Sequence, residues 1–214
     1  MLLLAFDTAT PAVTVALHDG DQVIAAESAV DARRQGELLV PFIDRALRSA
    51  GAGRGDLTAI AVGTGPGPYT GLRAGLVTAR VLGSALQLRV DGLCTLDIMA
   101  AEVTSPGGEF LVATDARRKE LYWARYSAAG QRLSGPQVCA AVDLEVGLPV
   151  AGEGPLKYPE LGAKPIGPRY PDAACLAALA AKRIAAGTPA APAQPLYLRR
   201  PDAREPGQRK RVTP

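Results

Sequence analysis

In the first half of the chain an apolar run, Leu57 to Val62, passes through the turn Gly63-Thr64-Gly65-Pro66-Gly67-Pro68 into a helical pattern spanning Thr70 to Leu86. A strand that turns directly into a helix is a unit of α/β architecture, and it is where such proteins commonly seat phosphate. This turn is not a Walker A loop, because no Gly-Lys-Ser/Thr follows, and Thr70 breaks a G-x-G-x-x-G pattern. Pro66 and Pro68 also remove two backbone donors that a phosphate cradle would use. Rigid turn geometry is the better reading of the segment.

The elements around it extend the α/β pattern. Leu2 to Phe6 is an apolar run suited to a buried strand, and Val13, Val15 and Leu17 alternate with smaller or polar residues as a second strand. His18-Asp19-Gly20-Asp21 supplies a hairpin turn, and Val23 to Ala26 returns as a third strand. A helix is expected within 34–50, with Leu38, Leu39, Phe42, Ile43, Ala46 and Leu47 on one face. Pro41 either bends this helix or starts its regular part, and Gly51 and Gly53 end it. Leu88 to Val90 reads as a strand and Thr95 to Glu102 as a short helix. The stretch 104–108, Thr-Ser-Pro-Gly-Gly, is the best boundary, giving segments 1–103, 104–187 and a Pro-rich, basic 188–214.

Beyond the boundary, Phe110 to Ala113 and Glu120 to Tyr126 resemble a second meander. Ala5-Phe6-Asp7-Thr8 followed by Val13-Thr14-Val15-Ala16 parallels Ala113-Thr114-Asp115-Ala116 followed by Leu121-Tyr122-Trp123-Ala124. In both, an apolar strand ends in Asp before a turn and another strand, which is mild support for duplicated lobes. Asp172 is placed to cap a last helix with Leu176, Leu179 and Ile184 inward, Lys182 and Arg183 near its end, and Gly187 as its stop. Pro189, Pro192 and Pro195 mark an extended connector, and 195–198 is expected to pack back on the body.

Composition limits the remaining functions. Of 214 residues, 48% are apolar and 21% charged, which fits a folded domain with a substantial core. No run of about 18 apolar residues predicts a spanning helix, and the N-terminus reads as a first strand, so a cytoplasmic protein without membrane association is expected. Cys94, Cys139 and Cys175 are too scattered for a disulfide framework or zinc knuckle. His18, the single histidine, reads as a strand-edge side chain and not a metal ligand. Residues 199–214 carry six Lys and Arg against two carboxylates, six minus two or +4, so a chain of net charge +3 is near −1 elsewhere. Such a tail can touch RNA phosphates or serve as a solvated end.

Four motifs in order carry a family resemblance. Gly-Pro-Gly-Pro-Tyr-Thr-Gly-Leu-Arg, containing Gly65, Pro66, Gly67, Tyr69, Thr70, Gly71 and Arg73, is similar to the hallmark of the TsaB (YeaZ) family. The opening Leu-Ala-Phe-Asp-Thr, the segment Asp115-Ala116-Arg117-Arg118-Lys119-Glu120-Leu121-Tyr122 and the closing Pro195-Leu196-Tyr197-Leu198-Arg199 resemble its other motifs. The resemblance implies an actin-like, ribonuclease H-like two-lobe α/β fold with mixed sheets flanked by helices. It implies a non-catalytic subunit that binds and activates TsaD in forming N6-threonylcarbamoyladenosine at position 37 of tRNAs. It places ATP and metal on TsaD and none on this chain, a TsaE-type ATPase in the larger complex, and a homodimer when the chain is alone. TsaD holds metal through paired histidines on its first helix; the matching stretch 32–38 here has none.

The competing reading is an autonomous actin-like ATPase or kinase. Asp7 would then hold a magnesium-bound water, with Thr8, Gly152 and Gly154 as nucleotide-loop residues; their alternative role is plain turn structure. Gly71, Gly75, Ala79 and Gly83 recur every four residues as a strip without bulk, which lets another element approach closely. That element is either the chain's own helix and sheet or a partner's helix. The resemblance favours a TsaD helix bundle involving this strip with Leu38 and Phe42.

Overall fold

The computed structural model describes residues 1–104, 106–144 and 147–199. β1 (Leu3–Asp7), β2 (Ala12–His18), β3 (Val23–Val30), β4 (Ala59–Gly63) and β5 (Arg89–Leu93) form one five-stranded sheet in the order β3-β2-β1-β4-β5. β1 runs antiparallel to β2 and parallel to β4, as the meander and the strand–turn–helix crossover require. β6 (Phe110–Arg117), β7 (Glu120–Tyr126), β8 (Arg132–Ala140), β9 (Val150–Ala151) and β10 (Pro165–Ile166) form a second sheet in the order β10-β9-β6-β7-β8. Read from β8, it follows the same path and pairing as the first, so the repeat at Asp7 and Asp115 marks two copies of one topology.

The strand period decides what each face of the first sheet can accept. Leu4, Phe6, Val13, Val15, Leu17, Ile60 and Val62 point to the side covered by α1 (Gln35–Ser49) and α2 (Tyr69–Leu86). Fully burying one such side chain contributes about 1.5–3 kcal/mol. The alternate residues include Ala5, Ala16, Ala59 and Ala61, and they meet Ala173, Leu176, Ala177, Ala180 and Ala181 of α5 (Ala173–Ala185). Alanine against alanine lets this helix lie close to the sheet without large side chains, which accounts for a core with few aromatic rings.

α3 (Thr95–Glu102) does the reverse. Its Leu96, Met99 and Ala100 pack on Phe110, Val112, Ala124 and Tyr126 of the second sheet, while its Ile98 joins the α5 cluster. The boundary near 103/104 thus divides the two sheets, but each segment lends a helix to the other's sheet. The opposite face of the second sheet is covered by short turns and by α4 (Gly154–Lys157).

Local signals hold in most places. Asp172 accepts the Ala174 N–H, a cap worth about 1 kcal/mol. α1 ends with Gly51 at positive φ, the Ala52 N–H bonding the Leu47 carbonyl and the Gly51 N–H the Arg48 carbonyl. It continues unbroken through Pro41, which lies on the exposed side where the Glu37 carbonyl can face water. Leu176 is fully buried, whereas Leu179 is only half-buried. β8 escaped the sequence reading because Gly135 and Pro136 interrupt it; as an edge strand it tolerates the missing donor. The connector does pack back, with the Leu196 N–H bonding the Thr64 carbonyl and Arg80 gripping the Ala193 carbonyl. Residues 200–214, most of the basic tail, lie outside the described residues. Among those described, no helix is long and apolar enough to cross a membrane.

One carboxylate ties α3 to α5. Glu102 accepts the Asp172 N–H at 3.0 Å, and burial, with the Asp172 charge adding to it, pushes its carboxyl up to about 7. The folded state therefore holds this proton more tightly than the unfolded chain, and stability falls as pH rises from about 4.5 to 7. Glu102→Gln keeps the acceptor and removes the charge. Urea midpoints between pH 4 and 8 should decline less for this variant and exceed wild type above pH 7; parallel profiles would remove Glu102 from the account.

Candidate functional site

The C-terminal ends of β1 and β4 meet the N-termini of α2 and α3, the place where an actin-like ATPase would receive phosphate and magnesium. Here that place is filled by a knot of the chain's own polar groups. Asp7 is fully buried; Oδ1 accepts the Ala9 N–H at 2.7 Å and Oδ2 accepts the Thr95 hydroxyl at 2.7 Å. Thr95 in turn accepts the Gly65 N–H, and its own N–H bonds the Gly65 carbonyl. Burial raises the Asp7 carboxyl above its usual range, against the hydrogen bonds from Thr95 and Ala9. Gly63 closes the remaining side, since a Cβ there would lie 1.7 Å from Asp7 Oδ2.

The β1–β2 turn is clamped equally tightly against α2. Thr8 Oγ1 donates to the Gly71 carbonyl at 2.7 Å and accepts the Gly75 N–H at 3.1 Å, so it sits on a single rung of the helix. Gln35, within the stretch compared above with metal-binding histidines, donates to the Thr10 carbonyl at 2.8 Å. A Cβ at Gly67 would meet the Ala9 carbonyl oxygen at 2.0 Å, and one at Gly71 the Thr8 carbonyl oxygen at 2.5 Å. Pro66 is buried in the same turn, whereas Tyr69, Thr70 and Arg73 are exposed beyond it.

The second lobe repeats the arrangement with a different closure. Asp115 accepts the Arg117 N–H as Asp7 accepts that of Ala9, and also bonds Tyr158 Oη at 2.8 Å and Lys157 Nζ. Burial works to raise this carboxyl, but the hydrogen bonds from Lys157, Tyr158 and the Arg117 N–H outweigh it and hold it below its usual value. Gly152 and Gly154 press on β6, where added Cβ atoms would meet the Ala113 carbonyl oxygen at 2.2 and 2.9 Å. These residues do not fit a magnesium-bound nucleotide between the lobes: the carboxylates are committed and the glycines receive backbone. His18 is buried at the end of β2, where Nδ1 accepts the Gly20 N–H, and no cluster of potential metal ligands occurs among the described residues. A hollow of about 460 Å³ lies on the second sheet beside Trp123 and Arg125, and none of the knot residues lines it.

The small-residue strip is corrected by its burial. Gly71, Gly75, Ala79 and Gly83 all face inward: a Cβ at Gly75 would sit 2.5 Å from Thr8 Oγ1, and one at Gly83 2.3 Å from Val90 Cγ2. Phe42 is likewise core, and Leu38 is half-buried against it. The strip serves close approach, but to the chain's own β1–β2 turn, Val62 of β4 and Val90 of β5. On the outer side of the same helices Val40, Val77 and Val81 are 51%, 57% and 60% exposed.

Two five-stranded sheets of one topology, with Asp7 at the end of β1 and Asp115 near the end of β6, define a ribonuclease H-like, actin-like fold. A family model described as TsaD, tRNA N6-adenosine threonylcarbamoyltransferase, matches residues 27–191. An uncharacterized protein of Mycobacterium tuberculosis is 44% identical over 94% of this chain and 93% of its own. The Escherichia coli tRNA threonylcarbamoyladenosine biosynthesis protein TsaB is 37% identical over 59% of this chain and 55% of its own. YeaZ from Pseudomonas aeruginosa superposes with a TM-score of 0.76 at 30% identity, covering 92% of this chain and 99% of that one. The chain belongs to the TsaB/YeaZ family.

Thr95, Gln35, Lys157 and Tyr158 went unnoticed in the sequence, because nothing local marks a threonine that bonds an aspartate 88 positions away. The clamp on α2 can be tested directly. Thr8→Val removes the hydroxyl from a buried donor and acceptor and should cost about 1–3 kcal/mol, whereas Thr8→Ser should cost much less. Equal urea midpoints for the two variants would mean that the helix rung closes without Thr8.

Proposed function

We propose that this chain is a non-catalytic partner subunit of the machinery that makes N6-threonylcarbamoyladenosine in tRNA, and that it binds and activates a TsaD homologue. The observation that carries this reading is the closed knot at Asp7, in which both carboxyl oxygens and the Gly65 N–H are bonded within the chain. Two similarities support the pathway: the Escherichia coli relative is named for threonylcarbamoyladenosine biosynthesis, and the matching family model is that of the transferase itself. A chain that shares ancestry with the catalyst but packs its own cleft shut is suited to scaffolding. ATP and metal then belong to TsaD, and a TsaE-type ATPase joins the larger assembly.

The docking face in this proposal is the outer side of α1 and α2, not the buried strip. Val77 and Val81 stand one turn apart on α2, and Val40 is exposed on α1. Apolar side chains left uncovered on paired helices favour a helical partner, and two copies of the chain would meet there when TsaD is absent.

Val77→Glu with Val81→Glu alters exposed positions, where substitutions usually change stability by about 0.5 kcal/mol or less. Purified with the cognate TsaD homologue, wild type should form a complex, and the double variant should stay folded but elute alone. Gly75→Leu is the contrasting control and should fail to fold because of Thr8 Oγ1. Failure of wild type to bind TsaD would overturn the partnership.

A further inference from the structure

The extended segment that follows α5 crosses the first lobe and ends on the second. The Gly92 N–H bonds the Ala191 carbonyl, Arg80 holds the Ala193 carbonyl, and the Leu196 N–H reaches Thr64. Tyr197 then stacks on Tyr69, with ring centroids 5.5 Å apart and planes 27° from parallel. The Arg73 guanidinium lies 4.1 Å from the Tyr69 centroid. Two residues later Arg199 donates to the Ala116 carbonyl at 3.1 Å and pairs with Glu120 at 3.3 Å. Ala116 leads into the β6–β7 turn, where Arg117, Arg118 and Lys119 are all exposed and all in the left-handed region, with φ of 65°, 52° and 61°.

An aromatic ladder and a basic turn are thus joined into one ridge by three residues of the strap. Tyr69 and Tyr197 remain 52% and 47% exposed although they stack on each other. A tyrosine pair built only for packing would bury its rings. Four cations, Arg73, Arg117, Lys119 and Arg199, stand against Glu120 and the already committed Asp115, four minus two or +2. Directly after Arg199 the sequence adds Arg200, Arg204, Arg209, Lys210 and Arg211 against Asp202 and Glu205. Exposed rings interleaved with cations form the chemistry that holds unpaired bases and their phosphates together.

From this we infer that the Tyr69–Tyr197–Arg117 ridge is a docking surface for single-stranded nucleic acid, with a base stacked on the tyrosine ladder and phosphates along the β6–β7 turn. Duplex is disfavoured, because its bases are not free to stack on a protein ring. That the strand is RNA rests on the proposed function; the ridge itself does not, since it lies in the isolated chain and needs no TsaD.

The test is fluorescence anisotropy of the full chain with labelled oligo-uridylate, oligo-thymidylate and an RNA hairpin stem at several salt concentrations. Wild type should bind the single strands in preference to the stem, with affinity falling as salt rises. Tyr197→Ala should weaken binding at least about five-fold, the lower end for one stacked base, while Tyr197→Phe should bind as wild type. Arg117→Glu with Lys119→Glu should weaken binding further and flatten the salt dependence. A preference for oligo-uridylate would assign the strand as RNA, and equal binding would leave the ridge as a single-strand surface indifferent to the sugar. The inference is overturned if wild type ignores the single strands at low salt, or if Tyr197→Ala binds like wild type. It also fails if removal of residues 200–214 abolishes binding whichever residue stands at 197, or if anionic vesicles compete equally well. Loss of TsaD binding with the ridge still active would sink the partnership alone.

Discussion

The hydrogen bond from Thr95 to the buried Asp7 carboxylate is the contact on which the rest of the first lobe depends. An uncompensated carboxylate in an apolar interior costs several kcal/mol, so every group around Asp7 must be placed to meet it. The Ala9 N–H fixes the β1–β2 turn, Thr95 fixes the start of α3, and Gly65 is tied through Thr95. The turn, now fixed, presents Thr8 to α2 and the Thr10 carbonyl to α1. One buried carboxyl group therefore sets the relative positions of the sheet and the three helices that begin beside it.

That arrangement explains why the glycines of the motif are glycines. Gly63, Gly67, Gly71 and Gly75 each meet an atom of the β1 end or its turn at a distance no Cβ allows. The loop wraps the neighbouring turn. The two lobes reach closure by different chemistry, a hydroxyl at Asp7 and a lysine with a tyrosine at Asp115, although the backbone hydrogen bond at i+2 is shared.

The exchange of helices between lobes has a similar physical basis. An alanine-faced sheet surface can take only a helix that is itself small on the facing side, and α5 offers four alanines and one leucine there. The larger Leu96 and Met99 of α3 instead fill the space beside Phe110 and Tyr126. Cores made this way couple the lobes, since α3 touches both clusters through opposite faces. Arg199 adds a second tie from the connector to the β6–β7 turn.

Much of this was legible in the sequence. Strand alternation, the Asp-Gly turn, Asp172 as a cap, and Gly51 and Gly187 as stops located the regular elements, because each acts on residues within a turn of itself. The paired Asp-ended strands announced the duplication, and the four motifs the family. What the sequence left open was what covers each face. A period of four in small residues shows that something approaches α2 closely, but not whether it comes from within or outside the chain. Tertiary structure decided this in favour of the chain's own Thr8 turn and Val90. It likewise decided that Thr95 answers Asp7, that α5 crosses to the first sheet, and that Tyr197 rests on Tyr69. Local propensity reaches only a few residues along the chain, whereas the Thr8–Gly71, Asp7–Thr95 and Tyr69–Tyr197 contacts join residues 63, 88 and 128 positions apart and exist only once the sheets have closed.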